Sequence, residues 1–178
     1  CDLVNKGNIT EVWFFGGPYF GFYEANMAGN GAWWTNGPVI EETSCEKPVH
    51  IMGFNYERGV GEMLENFGHR AEGTITNTVF NGWDVRDGTS EWDRFGYNKG
   101  QTFGTDVFGC GSVHYAPNSL ADYQWDSMEY VDTNCDDWYN YPDFTGAVRN
   151  INCEEWGCEI RGHHKWWFRH FPDDWWNK

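Results

Sequence analysis

The segment from Glu57 to Glu72 constrains the fold more than any other part of the chain. It follows an apolar run, Pro48 to Asn55, that has the composition of a strand. At about 100° per residue the segment separates into two faces of opposite chemistry. The apolar face consists of Val60, Met63, Leu64, Phe67 and Ala71. The sequence therefore predicts a strand that leads directly into an amphipathic helix.

The polar face of this predicted helix is an arc about 80° wide. It gathers Arg58, Glu62, Glu65, His69 and Glu72. A solvated helix face is the simplest interpretation, but such faces usually mix charge signs at i,i+4 spacing. Here three carboxylates lie within reach of one another, and their repulsion requires a counter-charge. We therefore expect the stripe to hold a metal ion or to transfer protons.

A second candidate site follows the first predicted strand, Ile9 to Phe15. The loop after it, Gly16 to Met27, is dense in glycine and aromatic residues and contains one acidic residue, Glu24. Ligand sites in α/β sheets lie at the carboxyl ends of strands, where loops of this kind are found. The glycine spacing matches neither nucleotide-binding fingerprint. We predict that Glu24 belongs to a site, the alternative being an aromatic loop that only caps the core.

His114 is the third candidate, between a glycine-rich stretch and Pro117. Zinc sites often combine a His-x-x-Glu pair on a helix with a distant third ligand, which leaves a position for water. His69, Glu72 and His114 are therefore predicted to bind zinc or another divalent metal. The alternative is that His114 is a hydrogen-bonded structural histidine. Calcium is a second candidate metal, through the oxygen ligands of Asp132, Asn134, Asp136 and Asp137, although the EF-hand pattern is absent.

The six cysteines contain no Cys-x-x-Cys pair, which argues against a zinc ribbon or a thioredoxin-type site. We expect disulfides instead. Cys153 and Cys158 are close enough in sequence to close a small loop. Six cysteines allow 15 pairings, and the partners of the other four cysteines stay undetermined at this point. Asn8-Ile9-Thr10 is an acceptor sequence for N-glycosylation. These features predict a secreted, extracellular glycoprotein.

Composition limits the partners and the number of domains. With 178 residues, the chain is expected to form one disulfide-stabilised domain, 1–178, of class α/β or α+β, rich in aromatic residues and loops. A net charge of −15 argues against nucleic-acid binding, and no apolar stretch approaches the roughly 20 residues of a membrane helix. The segment Gly162 to Pro172 predicts a short helix whose tryptophans close the core, the alternative being an exposed stacking platform for sugar rings or another subunit. The helix-to-strand start at Cys1 suggests the C-terminal portion of a larger α/β unit that lacks its N-terminal part.

Several motifs occur together along most of the chain: Ile9-Thr-Glu-Val-Trp-Phe-Phe-Gly, Glu24-Ala-Asn-Met, Arg58-Gly, Glu62-Met-Leu-Glu, His69-Arg-Ala-Glu, His114-Tyr-Ala-Pro-Asn and Asp122-Tyr-Gln-Trp. In this set the chain resembles a group of uncharacterised secreted proteins from bacteria and microbial eukaryotes. In that group, further sequence precedes the segment that matches Cys1. The resemblance implies secretion and an upstream segment. It implies no activity, because none is assigned to the group.

Two functions of different class follow from these features. In the first, a crevice past the strand ends forms an acid/base or metal site that hydrolyses an extracellular glycan or peptide. Its residues are Glu24, Glu62, Glu65, His69, Glu72 and His114. A glycosidase without metal needs only two carboxyl groups, about 5 to 9.5 Å apart. In the second, the protein is an extracellular structural or adhesive subunit that self-associates into filaments or binds glycans, and the polar stripe is a buried salt-bridge network.

Overall fold

The computed structural model describes residues 1–80, 88–101, 104–173 and 175. Its backbone contacts divide the chain into two compact units, Cys1–Asn77 and Thr78–Lys178. Helices and mixed β-sheets occur together with disulfides, so the predicted mixed fold class is confirmed as α+β.

The first unit consists of a three-stranded sheet and two helices, and β3 is the central strand of the sheet. Its parallel pairing with β1 and antiparallel pairing with β2 bring the carboxyl ends of β1 and β3 and the start of β2 to the same edge. The predicted strands before and after the aromatic loop are therefore neighbours in space. In chain order the elements are α1 (Asp2–Asn5), β1 (Glu11–Gly16), β2 (Ala25–Ala28), β3 (Val49–Asn55) and α2 (Val60–Thr78).

Apolar packing holds α2 against the sheet. Met52 and Phe54 of β3 are buried, and Met63 and Phe67 of α2 pack against the cluster that they form. Burial of such side chains stabilises by about 1.5 to 3 kcal/mol each. A buried hydrogen bond also orients α2 relative to β3, because Asn66 Nδ2 donates to the carbonyl of Gly53 at 2.6 Å. The start of α2 is thereby fixed beside the carboxyl end of β3.

The helix begins later and ends later than the sequence predicts. Asn55 organises a turn after β3, in which its side-chain oxygen accepts from Glu57 N–H at 3.0 Å and its carbonyl accepts from Arg58 N–H at 3.1 Å. Because this turn uses those N–H groups, α2 starts at Val60 and Arg58 precedes it. Val60, predicted to lie on the buried apolar face, is half exposed for the same reason.

The second unit contains another three-stranded sheet, in which β5 pairs in parallel with β4 and antiparallel with β6. Two short 3-10 helices, Cys135–Asn140 and Cys153–Glu155, follow β5 and β6. The remaining elements are α3 (Glu91–Gly96), β4 (Val107–Phe108), β5 (Val131–Thr133), β6 (Arg149–Ile151) and α4 (Ile160–Arg169).

Aromatic rings fill the core of the second unit. Phe95 meets Trp138 edge to face at 5.2 Å between centroids and Trp175 at 5.0 Å. Such pairs contribute about 0.5 to 1.5 kcal/mol beyond the area that they bury. α4 supplies Trp166 and Trp167, both buried, which confirms that the tryptophans of the predicted C-terminal helix belong to the core.

All six cysteines form disulfides, which confirms the predicted disulfide bonding. The predicted small loop between Cys153 and Cys158 is closed, and the other bonds join Cys1 to Cys45 and Cys110 to Cys135. A native disulfide typically stabilises a protein by about 2 to 4 kcal/mol and persists in oxidising compartments. Within the described residues, no helix combines the length and the apolar character needed to cross a membrane.

Candidate active site

A pocket of about 250 Å³ lies at the carboxyl ends of β1 and β3, within the first unit. The loop after β1 provides one wall, with Tyr19, Phe20 and Phe22. The end of β3 and the first turns of α2 provide the opposite wall, which includes Phe54 and Met63. This is the edge of the sheet where parallel strands commonly place their ligand sites.

Glycines permit the close backbone approach around this pocket. An added Cβ on Gly53 would lie 2.5 Å from the carbonyl oxygen of Tyr23, and one on Gly16 would lie 2.3 Å from the ring of Phe20. Neither distance is sterically allowed for a side-chain atom, so both positions require glycine. The strand ends therefore contact the aromatic loop more closely than any other residue type would permit.

Three charged side chains line the pocket: Glu24, Arg58 and Glu62. Glu24 directly precedes β2, and its carboxylate lies 3.8 Å from the Arg58 guanidinium and 3.3 Å from Nε2 of His69. Glu62 comes from the first turn of α2, where the partial positive charge of the helix terminus favours a carboxylate. In the part of the chain that the structure describes, Glu62 forms no ion pair. Two carboxylates from different elements thus meet one pocket, and only Glu24 is held by cations.

His69 lies between two carboxylates. Its Nε2 faces Glu24, and its Nδ1 lies 3.6 Å from Glu72 Oε2. Burial by itself lowers the pKa of His69, but the hydrogen bond with Glu72 and the negative charges of Glu72, Glu24 and Glu65 outweigh it. The pKa is therefore raised above the ordinary value of 6.5. The imidazolium form, which donates at both nitrogens, persists to higher pH than in a free histidine.

Two carboxylates of the polar stripe are buried, which argues against its interpretation as a solvated helix face. Glu65 is 2% exposed and Glu72 is 8% exposed. Buried carboxylates need compensating partners. Arg58 supplies one, because its guanidinium lies 3.7 Å from Glu65 and also reaches Glu24. Protein groups therefore provide part of the counter-charge that the sequence pattern requires.

The same side chains have the chemistry of a metal site. Glu65 and His69 offer ligand atoms within 4.8 Å of each other, and Glu24 Oε2 is 3.3 Å from His69 Nε2. With metal–ligand distances of about 2.0 to 2.2 Å, two atoms 3.3 Å apart subtend roughly 105° at a zinc ion, close to a tetrahedral angle. Glu72 on the other ring nitrogen would orient the imidazole, as carboxylates beside zinc-bound histidines do. This group could therefore bind a metal ion.

His114 belongs to the second unit. There its Nδ1 lies 3.6 Å from Asp122 Oδ1, and its Nε2 lies 3.3 Å from the hydroxyl of Tyr123. The predicted ligand set therefore includes one pair in the first unit, His69 and Glu72, and one histidine in the second. Metal binding by His69, Glu72 and His114 together therefore stays a prediction.

The acidic residues predicted for calcium make contacts with protein groups. Asp137 accepts hydrogen bonds from the backbone N–H groups of Thr145 and Gly146 and from two side chains. Burial alone raises its pKa, but these hydrogen bonds outweigh burial and lower it to about 2. Asp136 pairs with Arg149 at 2.7 Å. Asp137 thus closes a loop as a structural carboxylate, and the calcium site stays a prediction.

Glu24 and Glu62, both predicted site residues, line the pocket, whereas its aromatic wall was not predicted. Tyr19 has a left-handed backbone, with φ of 60°, and its side chain is fully exposed. The signal for this was present, because Pro18 precedes Tyr19 and Gly21 follows in a short glycine-rich loop. Such loops adopt tight turns whose tip points to solvent.

Comparisons with known proteins found no relative of this chain: it matches no protein-family model, no curated protein and no solved structure.

Proposed function

We propose that the protein is a secreted hydrolase-like protein whose Glu/His site, in the pocket of the first unit, cleaves an extracellular glycan. One observation carries the proposal: Glu24 and Glu62 reach a single aromatic-walled pocket from two different elements. Paired carboxylates suffice for glycoside hydrolysis without any cofactor. Three disulfides support an oxidising, extracellular location.

Each carboxyl group has a separate role in this mechanism. Glu24, oriented by Arg58 and His69, accepts a proton from water as the water oxygen attacks the anomeric carbon. Glu62 donates a proton to the departing glycosidic oxygen as the bond from that oxygen to the anomeric carbon breaks. The net result is addition of one water across the bond, and proton transfer through water returns both carboxyl groups to their starting states.

His69 makes the proposed activity dependent on pH. Because its pKa is raised, His69 keeps its positive charge beside Glu24 above pH 6.5 and loses it as pH rises further. Loss of this charge removes one of the two cations that position Glu24. We therefore expect activity to fall on the alkaline side, and we expect His69→Gln to remove that limb of the pH profile.

A divalent metal, with zinc as the first candidate, is the second way in which this site could activate water. His69 with Glu24 and Glu65 would hold the ion, which would supply a Lewis acid and a water molecule of lowered pKa. The carboxylate pathway keeps its activity in the presence of a chelator, whereas the metal pathway loses it. Activity measured with and without a chelator therefore distinguishes the carboxylate pathway from the metal pathway.

The test is hydrolysis of a panel of oligosaccharides and peptides by the purified protein, with and without chelator. Glu24→Gln and Glu62→Gln should each lower the rate by about 10²-fold or more, since general acid–base catalysis contributes about 10² to 10⁴. Glu57→Gln is the matched control, because Glu57 is an exposed carboxylate of the same stretch that does not line the pocket.

Unfolding curves of the three variants show whether lost activity reflects lost structure. The hydrolase proposal is wrong if folded Glu24→Gln and Glu62→Gln cleave as fast as Glu57→Gln, or if the wild-type protein cleaves nothing in the panel. Cleavage of peptides alone would keep the site and change its substrate class.

A further inference from the structure

The charges around the pocket do not balance. Arg58 is shared between Glu24 and Glu65, at 3.8 and 3.7 Å, while Glu62 has no ion-pair partner within the described ranges. The described lining of the pocket carries two carboxylates, Glu24 and Glu62, and one guanidinium, Arg58. The local excess is negative, and the net charge of −15 adds to it. A ligand with a positive group is therefore favoured electrostatically.

The size of the pocket limits its occupant to one small unit. Its volume of about 250 Å³ is below the range of roughly 300 to 1,000 Å³ typical of sites for drug-sized ligands. One six-membered sugar ring fits this space, and a second ring of a chain would have to lie outside. Tyr19 both lines the pocket and is fully exposed, so the pocket opens to solvent beside that ring.

The aromatic wall provides faces for the C–H groups of a sugar. Phe22 stacks on Phe14, with centroids 4.4 Å apart, and this contact holds the Phe22 ring in place. Tyr19 is held in solvent by a left-handed backbone that costs a non-glycine residue about 1 to 3 kcal/mol, and such strain clusters at ligand sites. A fully exposed ring at the mouth of a pocket is a stacking surface for the next ring of the chain.

The polar groups that line the pocket include both donors and acceptors. Arg58 donates only, Glu24 and Glu62 accept when ionised, and the Asn55 amide nitrogen is a further donor, because its oxygen accepts from Glu57 N–H. A sugar has hydroxyls on every side and can use all of these groups. A lysine side chain has an apolar stem with one ammonium and offers no acceptor to the Arg58 guanidinium.

We propose that this pocket binds one sugar unit with a free amino group, at the end of a glycan chain, with the ammonium group on Glu62 and the adjoining ring on Tyr19. The inference rests on the proposed function for the location of the site, but it concerns binding and does not require cleavage. Binding uses the ionised form of Glu62, whereas the proposed cleavage step uses the protonated form of the same group. Glu62 would hold the amine through a charge-assisted hydrogen bond, which an N-acetyl group cannot replace.

The experiment is calorimetric titration of the intact protein at pH 6 with three ligands: a glucosamine trimer, its fully N-acetylated form and a lysine tripeptide. The glucosamine trimer should bind at least tenfold more tightly than either of the others. Glu62→Gln should weaken it about tenfold and leave the N-acetylated trimer unchanged. Tyr19→Ala should weaken both sugars alike, and Glu57→Gln should alter neither.

Equal affinity for the two trimers, or no measurable binding of the glucosamine trimer, overturns the inference. So does lysine tripeptide binding as tight as that of the glucosamine trimer, since the pocket would then recognise basic peptides. Selective binding of the glucosamine trimer without hydrolysis would support the inference while the hydrolase proposal fails. Hydrolysis of glycans without preferential binding of the free-amine trimer would support the hydrolase proposal and overturn the inference.

Discussion

At the scale of single residues, His163 in α4 is fully buried, and neither ring nitrogen has a hydrogen-bond partner within the described residues. Its ring stacks on Trp125, with centroids 4.5 Å apart. Burial, with a smaller effect of His164, lowers its pKa well below 6.5. Unfolding therefore lets this histidine take up a proton at acidic pH. Its contribution to the free energy of unfolding is complete above pH 6.5 and decreases as pH falls below that value.

We predict that His163→Leu leaves the free energy of unfolding at pH 7 unchanged or raises it by about 1 kcal/mol, because a buried polar group without partners is replaced by an apolar one. The variant should also lose less stability than the wild type between pH 7 and pH 5. Urea unfolding at both pH values measures this directly.

His164→Leu is the matched control for this change. His164 is equally buried, but its Nε2–H donates to the carbonyl of Val113 at 2.8 Å. Loss of that bond should destabilise the protein by about 1 to 3 kcal/mol. Equal effects of the two substitutions would show that hydrogen bonding is not what distinguishes the two histidines.

Single residues also show what could be predicted from the sequence. The spacing of Glu62, Glu65, His69 and Glu72 predicted one polar stripe, because helical periodicity is local. Burial of that stripe, and the contact between His69 and Glu24, depend on how β2 lies beside β3. Pairings between distant segments leave no periodic trace in a single sequence, so the sequence offered both features only as hypotheses and could not give their geometry.

At the scale of elements, the strands and helices that were predicted are those with a regular spacing of apolar residues or with a clear turn or cap residue at one end. β3 was predicted one residue longer than observed, and β1 two residues too early at its start, because strand ends depend on pairing. The turn at Asn55 displaced the start of α2 because a side-chain oxygen competes for backbone N–H groups. Element type was therefore readable for β1, β3 and α2, whereas β2, which begins inside the predicted loop, was not predicted.

The close contact between α4 and the backbone of Trp156 can be tested by a single substitution in α4. Gly162 lies in this helix, and an added Cβ would be 1.8 Å from the carbonyl oxygen of Trp156. This carbonyl is backbone and is held near the Cys153–Cys158 disulfide loop, so it cannot move away cheaply. We predict that Gly162→Ala destabilises the protein by about 2 kcal/mol or more, measured by thermal unfolding.

Gly96→Ala is the control for the effect of helix propensity alone. Gly96 ends α3, and its added Cβ would meet Gly111 O at an ordinary 3.7 Å. Alanine is favoured over glycine in helices by up to about 1 kcal/mol. This variant should be neutral or slightly stabilised. A stable Gly162→Ala would contradict the close contact between α4 and Trp156.

At the scale of the whole molecule, the sequence predicts one domain, 1–178, and the backbone contacts group into two compact units, 1–77 and 78–178. The single domain stays a prediction. Both units have the same sheet plan, a central strand with one parallel and one antiparallel neighbour. Composition alone cannot reveal such a division, since disulfides and aromatic residues occur in both halves. Glu24, Glu62, His69 and Arg58 all lie in the first unit, and the proposed chemistry is complete there.

We propose the pocket at the carboxyl ends of β1 and β3 as the ligand site of this molecule. The most direct test is nuclear magnetic resonance titration of the isotope-labelled protein with the glucosamine trimer. We predict saturable shifts of the amide signals in residues 17–24 and 53–66, abolished together by Glu24→Gln combined with Glu62→Gln. Saturable shifts confined to other residues, or none at all, would contradict the claim.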